Sequence, residues 1–218
     1  MIFHVDAILF DIDGTLVDST GTVERTWRTW AARRGLPAED ILAVCHGRRT
    51  EDTVADFLPA EQRAGAVAEL ERLELDDLDE VVALPGAADL LSGLPDGRWA
   101  AVTSGSGALM RARLAAAGLP VPDVLVAAED VSAGKPDPQG YAQAAAGLGV
   151  DVTRCLVIED APAGVAAGVA AGADTVAVAT SHPVDELGAA HAVVADLRSL
   201  RVEVGPDRVS VAVAALSS

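Results

Sequence analysis

Rings are scarce in this sequence. Its 218 residues include three Trp, three Phe and one Tyr. A core must therefore come from Ala, Val and Leu, and with half of the residues apolar there are enough of them. Positive charge is scarce too. Sixteen Lys and Arg face 33 Asp and Glu, a formal net charge of -17. Such a surface repels nucleic acid and anionic lipid, which excludes both as expected partners. An anionic ligand would have to be held by a few local cations. The two cysteines, Cys45 and Cys155, lie far apart, and Cys155 opens the apolar run "CLVIED". It reads as a buried, reduced thiol. No run approaches the ~20 apolar residues of a membrane span. The first ten residues, "MIFHVDAILF", carry His4 and Asp6 and lack a basic start and a small-residue cleavage site. They do not read as a signal peptide, and a cytoplasmic protein is expected.

What is present alternates. Apolar runs at 5–10, 98–103, 123–127, 154–158, 174–179 and 192–194 predict short buried strands. Ala-rich segments of helical length separate most of them: "GALMRARLAAAG", "PQGYAQAAAGLG" and "PAGVAAGVAAGA". This order predicts an α/β fold, a parallel sheet covered on both faces. The glycines of the last segment weaken a helix, and close packing on the sheet would account for them. Residues 18–85 break the alternation and show no clear strand. Val23, Trp27, Trp30 and Ala31 recur at helical spacing, and Leu70 and Leu73 mark a second stripe. The expected division is a core of residues 1–17 and 86–218 with a helical insertion at 18–85. Insertions of this kind often lid a site at the strand ends. The tail "DRVSVAVAAL" is expected to be an edge strand.

In a parallel sheet, ligands bind beyond the carboxyl ends of the strands. Asp11 and Asp13 follow the first predicted strand, and Thr103, Ser104, Gly105 and Ser106 follow "WAAV". Lys135 follows the strand near 125, and Glu159 and Asp160 follow "CLVI". Carboxylates crowded into one cleft raise one another's pKa. A hard divalent cation resolves that conflict, and Mg²⁺ favours oxygen ligands. One lysine, with small hydroxyls beside glycine, suits a phosphoryl group. Taken singly, these residues have plainer readings. The aspartates could cap a turn, Lys135 could be a surface lysine, and Ser104 or Ser106 could cap the helix that follows.

The four stretches "DIDGTLVDS", "VTSGS", "GKPDP" and "VIEDAPAG", in this order, resemble the four motifs of the haloacid-dehalogenase-like superfamily of phosphatases. The likeness runs from about residue 5 to 195. It is strongest to the branch acting on sugar, glycerol and 2-deoxyglucose phosphates. It implies a three-layer, Rossmann-like parallel-sheet core with an inserted α-helical cap. By the same resemblance, Asp11 is the nucleophile that forms an aspartyl-phosphate. Asp13 is the general acid, then the base. Lys135 bridges nucleophile and phosphoryl oxygens. Mg²⁺ is held by Asp11, the backbone carbonyl of Asp13 and Asp160, with Glu159 direct or through water. Thr103 or Ser104 supplies the motif-two hydroxyl, with Gly105 beside it. The superfamily's dehalogenases lack an acid at the place of Asp13.

The loop "HGRRTED" breaks the helical pattern and gathers His46, Arg48 and Arg49. It is either a solvated loop or a substrate-contacting loop over the site. Thr15 and Asp18 are expected at the hinge of the insertion. Trp27 and Trp30 are expected in its core, and His4, His182 and His191 in structural roles. The expected partner is a small phosphorylated metabolite, with the chain a monomer or small homo-oligomer. Two rivals remain. One is a β-phosphoglucomutase-like phosphotransferase, though such mutases carry a histidine near the place of Val23. The other is a non-catalytic metabolite-binding relative.

Overall fold

The computed structural model describes residues 1–216. In chain order the elements are strands β1 (Ile2–Val5), β2 (Ala7–Phe10) and β3 (Val17–Asp18), then helices α1 (Thr20–Arg34), α2 (Ala38–Cys45), α3 (Thr50–Phe57) and α4 (Ala60–Asp76). Next come β4 (Val82–Ala83), α5 (Ala87–Ser92), β5 (Trp99–Val102), α6 (Gly107–Ala116), β6 (Leu125–Val126), α7 (Gln139–Gly147), β7 (Cys155–Glu159) and α8 (Pro162–Ala170). The chain ends in β8 (Asp174–Val178), β9 (Ala192–Val194), β10 (Leu200–Val204) and β11 (Val209–Val213).

Six strands form one parallel sheet in the order β6-β5-β2-β7-β8-β9. Successive side chains of a strand point to opposite faces, and the core divides accordingly. Ile8 and Phe10 join Leu109, Met110 and Leu114 of α6 on one face. Ala7 and Leu9 join Tyr141, Ala144 and Ala167 of α7 and α8 on the other. A Cβ at Gly168 would fall 2.9 Å from Val157 Cγ1, so α8 lies too close to β7 for any side chain there. A Cβ at Gly164, one turn earlier, would fall 1.6 Å from Glu159 Oε1, and this close packing accounts for both glycines of α8.

The apolar run at 5–10 is not one strand. At Asp6 the backbone N–H donates to Arg154 O and the carboxylate pairs with Arg154. β1 therefore leaves the main sheet and pairs with β11. The C-terminal strand is the middle of a three-stranded antiparallel sheet, β1-β11-β10, and not an edge. Its neighbour β10 covers one side, which one sequence stripe could not reveal. The stretch 18–85 does contain strand structure. β3 and β4 pair as a two-stranded antiparallel ribbon where the chain leaves and rejoins the sheet.

Helices α1 to α4 carry their own apolar cluster, with Trp27, Trp30, Ile41, Val54 and Leu70 buried at its centre. The two indoles meet edge to face, centroids 5.4 Å apart. Trp30 Nε1 donates to Ala66 O at 2.9 Å, and the Arg34 guanidinium lies 4.5 Å above its ring. No helix among the described residues is long and apolar enough to cross a membrane. Because Trp30 is wholly buried, Trp30→Ala should destabilise the protein by about 3–5 kcal/mol, read as a lower urea midpoint.

Candidate functional site

The parallel sheet explains why distant acids meet. β2 lies between β5 and β7, and the chain passes from one side of β2 to the other, so a crevice opens at the carboxyl ends of these strands. Phe10 is in register with Ile158, which sets Asp11 beside Glu159 and Asp160. Carboxylate oxygens of these three buried residues lie within 4.8 Å of one another. The Asp13 carboxylate stands outside that group.

Lys135, the chain's one lysine, enters between them. Its Nζ donates to Asp11 Oδ1 and to Glu159 Oε1, each at 2.5 Å. Burial alone would push this ammonium down, but Asp11 and Glu159 overcome that and hold it well above its ordinary value. Burial pushes the Asp11 carboxyl up, with Glu159 and Asp160 adding to it and Lys135 opposing. Asp160 is driven up to about 8, first by burial and then by Glu159. Burial would raise Glu159 too, but Lys135 and two backbone N–H groups hold it below the usual value.

Glu159 is fully engaged. Oε1 accepts from Lys135 and from Tyr141 Oη at 3.0 Å, and Oε2 accepts from the N–H groups of Asp160 and Ala161. It thereby fixes the lysine while remaining one of the three clustered carboxylates. Asp160 is oriented by Thr15 Oγ1 at 3.2 Å and by Ser181 Oγ. Thr15 thus supports the site, and it stands two residues before β3, where the chain leaves the sheet. Asp18 accepts from the Thr20 N–H at the start of α1. Gly14, with φ +83°, brings the backbone so near that a Cβ would fall 2.1 Å from Asp160 Oδ2. The donor set is three carboxylates against one ammonium, all oxygen on the acidic side, and it fits a hard divalent cation.

The cleft measures about 820 Å³, open solvent at its mouth included. Asp11, Asp13, Thr103, Ser104, Gly105, Lys135, Glu159 and Asp160 all line it, as do His46 and Arg48 of the predicted loop. Arg49 does not. It pairs with Asp52 and packs over Gly134, lining a smaller hollow that shares Thr103, Ser104 and Lys135 with the cleft. Arg48 lines the wall but pairs with Asp56. His182 lines the cleft, contrary to the structural role expected of it, and its Nδ1 lies 2.8 Å from Ser181 Oγ. His191 does have such a role, its Nδ1 accepting from the Thr175 N–H. Ser104 Oγ donates to Gly47 O, whereas Thr103 Oγ1 accepts from the Gly105 N–H and keeps its own proton free. Ser106 caps α6, accepting from the Leu109 N–H.

Sequence reasoning missed Arg113 and Glu74. Arg113 Nη1 donates to Asp13 Oδ2 at 2.6 Å and Nη2 to Glu74 Oε1 at 3.0 Å, with both partners of the second pair buried. The signal was an arginine on the apolar stripe Leu109, Met110, Leu114 of α6.

Comparison with known proteins agrees with this architecture. Hexitol phosphatase A of Escherichia coli is 43% identical over 207 residues, spanning 91% of this chain and 94% of its own. Glycerol-1-phosphate phosphohydrolase 2 of Saccharomyces cerevisiae is 34% identical, spanning 84% of this chain and 78% of its own. The crystal structure of β-phosphoglucomutase from Clostridium difficile superposes with a TM-score of 0.79, covering 90% of this chain and 93% of that one, a likeness of fold at 23% identity. The model of haloacid dehalogenase-like hydrolases matches residues 5–172, strand-end motifs included, and the chain belongs to that family.

Proposed function

We propose that the protein is a Mg²⁺-dependent phosphatase of sugar or polyol phosphates that works through an aspartyl-phosphate. One observation carries the reading. Two carboxylates two positions apart, Asp11 and Asp13, sit in one cleft with separate supports, a lysine for the first and Ser19 with Arg113 for the second. Paired carboxylates with different surroundings can divide nucleophile and acid roles.

An Asp11 oxygen attacks phosphorus while the bond from phosphorus to the ester oxygen breaks. Asp13 gives its proton to the departing oxygen, then takes one from the water that hydrolyses the acyl phosphate. Lys135 and the free Thr103 hydroxyl face the phosphoryl oxygens and stabilise their charge. Ser104, whose hydroxyl is spent on Gly47 O, contributes its backbone N–H. Asp11, Asp160 and the Asp13 carbonyl would hold Mg²⁺, with Glu159 fixing the lysine beside them. The ion, when bound, screens the repulsion between carboxylate and phosphate.

The substrate class rests on the relatives, one named for hexitol phosphates and one for glycerol 1-phosphate. Small hydroxyls of Ser19, Thr20 and Thr50 and the ring of His46 line the cleft around Asp13, surroundings suited to a hydroxylated leaving group.

Phosphate release from a panel of sugar and polyol phosphates should require Mg²⁺, vanish with EDTA and return when the metal is restored. Asp11→Asn should abolish it, and release that survives the substitution overturns the aspartyl-phosphate. Asp13→Asn should slow it by roughly 10²–10⁴-fold, the usual share of general acid–base catalysis. Glucose 1-phosphate with a bisphosphate primer should yield free phosphate faster than glucose 6-phosphate. The reverse order would make the protein a mutase, and binding without turnover across the panel would make it a sensor.

A further inference from the structure

Arg113 occupies a place where an apolar side chain would be expected. It shares the buried stripe of α6 with Leu109, Met110 and Leu114, and its side chain is 3% exposed. A guanidinium taken out of water is costly unless its donors are matched. Here the match is incomplete: Nη1 meets Asp13 and Nη2 meets Glu74, but Nε has no partner. An apolar residue of similar shape would fill the stripe without an orphaned donor. Core stability alone therefore does not account for the arginine. Its two partners come from different parts of the chain, the loop after β2 and the last turn of α4.

The chemistry of the contact is directional. A guanidinium has donors only. While Asp13 Oδ2 is bonded to Nη1, that oxygen can neither carry nor pass on a proton. Asp13 Oδ1 faces a different neighbour, Ser19 Oγ at 2.7 Å, and a hydroxyl can donate, accept or turn away. The carboxyl plane is thereby fixed, and one oxygen is reserved for proton transfer.

We propose that Arg113 is a positioning residue for Asp13, and that Glu74 sets the plane of its guanidinium. The proposal rests on the phosphatase reading above. In the first half-reaction an Asp11 oxygen bonds to phosphorus as the bond from phosphorus to the ester oxygen breaks; the ester oxygen keeps that electron pair and takes the proton from Asp13 Oδ1, whose O–H bond breaks. The resulting Asp13 carboxylate is stabilised by Arg113. In the second half, Oδ1 takes a proton from water as the water oxygen bonds to phosphorus, and the bond between phosphorus and the Asp11 oxygen breaks to restore the Asp11 carboxylate. Glu74 lies on α4 and Arg113 on α6, so the acid is aligned when these two helices are in contact.

The test uses leaving groups of different demand. kcat/KM reports the steps up to loss of the leaving group. A polyol leaves as an alkoxide and needs the proton, whereas p-nitrophenolate is stable near neutral pH and needs little help. With the full-length protein and Mg²⁺, Arg113→Met should lower kcat/KM for the fastest polyol phosphate by about 10²-fold or more, the general-acid share. For p-nitrophenyl phosphate it should cost several-fold at most. Arg113→Lys should recover part of the difference. Glu74→Gln, which keeps an acceptor for Nη2, should show the same selectivity at smaller size and decides the matter if Arg113→Met does not fold. Equal losses on both esters, or none, would overturn the role and leave Arg113 as a structural link between helices. A wild-type protein silent on every polyol phosphate would overturn the phosphatase reading itself, and this role with it.

Discussion

The Lys135 ammonium lies among Asp11, Glu159 and Asp160, and much of the molecule can be understood as the apparatus that brings it there. Each of the four groups is buried. They come from three places in the chain, the end of β2, the end of β7 and the loop after β6, and the parallel sheet brings these together. The register of β2 with β7 aligns three of them, and the loop after β6 delivers the lysine. An unpaired charge at this depth would be untenable. The pairing is nevertheless unequal. One positive charge faces three carboxylates, and Asp11 and Asp160 are raised first by burial and then by their acidic neighbours. Glu159 is spared because the Lys135 charge, its hydrogen bond and the N–H groups of Ala161 and Asp160 outweigh its burial. Within one cluster, then, burial drives Asp11 and Asp160 up, while the Lys135 charge and the hydrogen bonds to its carboxylate hold Glu159 down.

The strand-end residues were legible because a fully buried strand is a short apolar run, and the first polar residue after it is conspicuous. Asp11, Thr103 and Glu159 all announce themselves in this way. The helical stripe of Trp27 and Trp30 was legible for a similar reason, since both indoles pack inside their own helical cluster. Residues whose meaning depends on a partner far along the chain were not legible. Arg113 and Asp13 are 100 positions apart, and Ser181 meets Asp160 across 21. Neither pairing leaves a local pattern. The break at Asp6 was hidden because a single charged residue within an apolar run does not say where one sheet ends and another begins. The answer lies in Arg154, which binds both its backbone and its side chain. Arg48 and Arg49 were read together as one loop over the site, and the structure parts them: Arg48 lines the cleft, and Arg49, the residue before α3, lines the hollow beside it.

The same charge arithmetic bears on the proposed reaction. Asp11, Asp13, Glu74, Glu159 and Asp160 supply five carboxylates to the cleft, and Lys135 and Arg113 are the buried cations that answer them. Both cations are already bonded to carboxylates. Outside the cleft the surface carries the rest of a strongly negative net charge. A phosphate ester arriving at such a site meets repulsion at long range and, at contact, cations that are already engaged. Two things can change this: neutralising some of the acids, or adding positive charge. Neutralised acids would cost the nucleophile, because a protonated Asp11 cannot attack. A divalent cation among the carboxylates would leave Asp11 ionised and free Lys135 to turn toward the phosphoryl oxygens. The metal requirement proposed for this protein therefore follows from the balance of charge in its own side chains, as well as from its family.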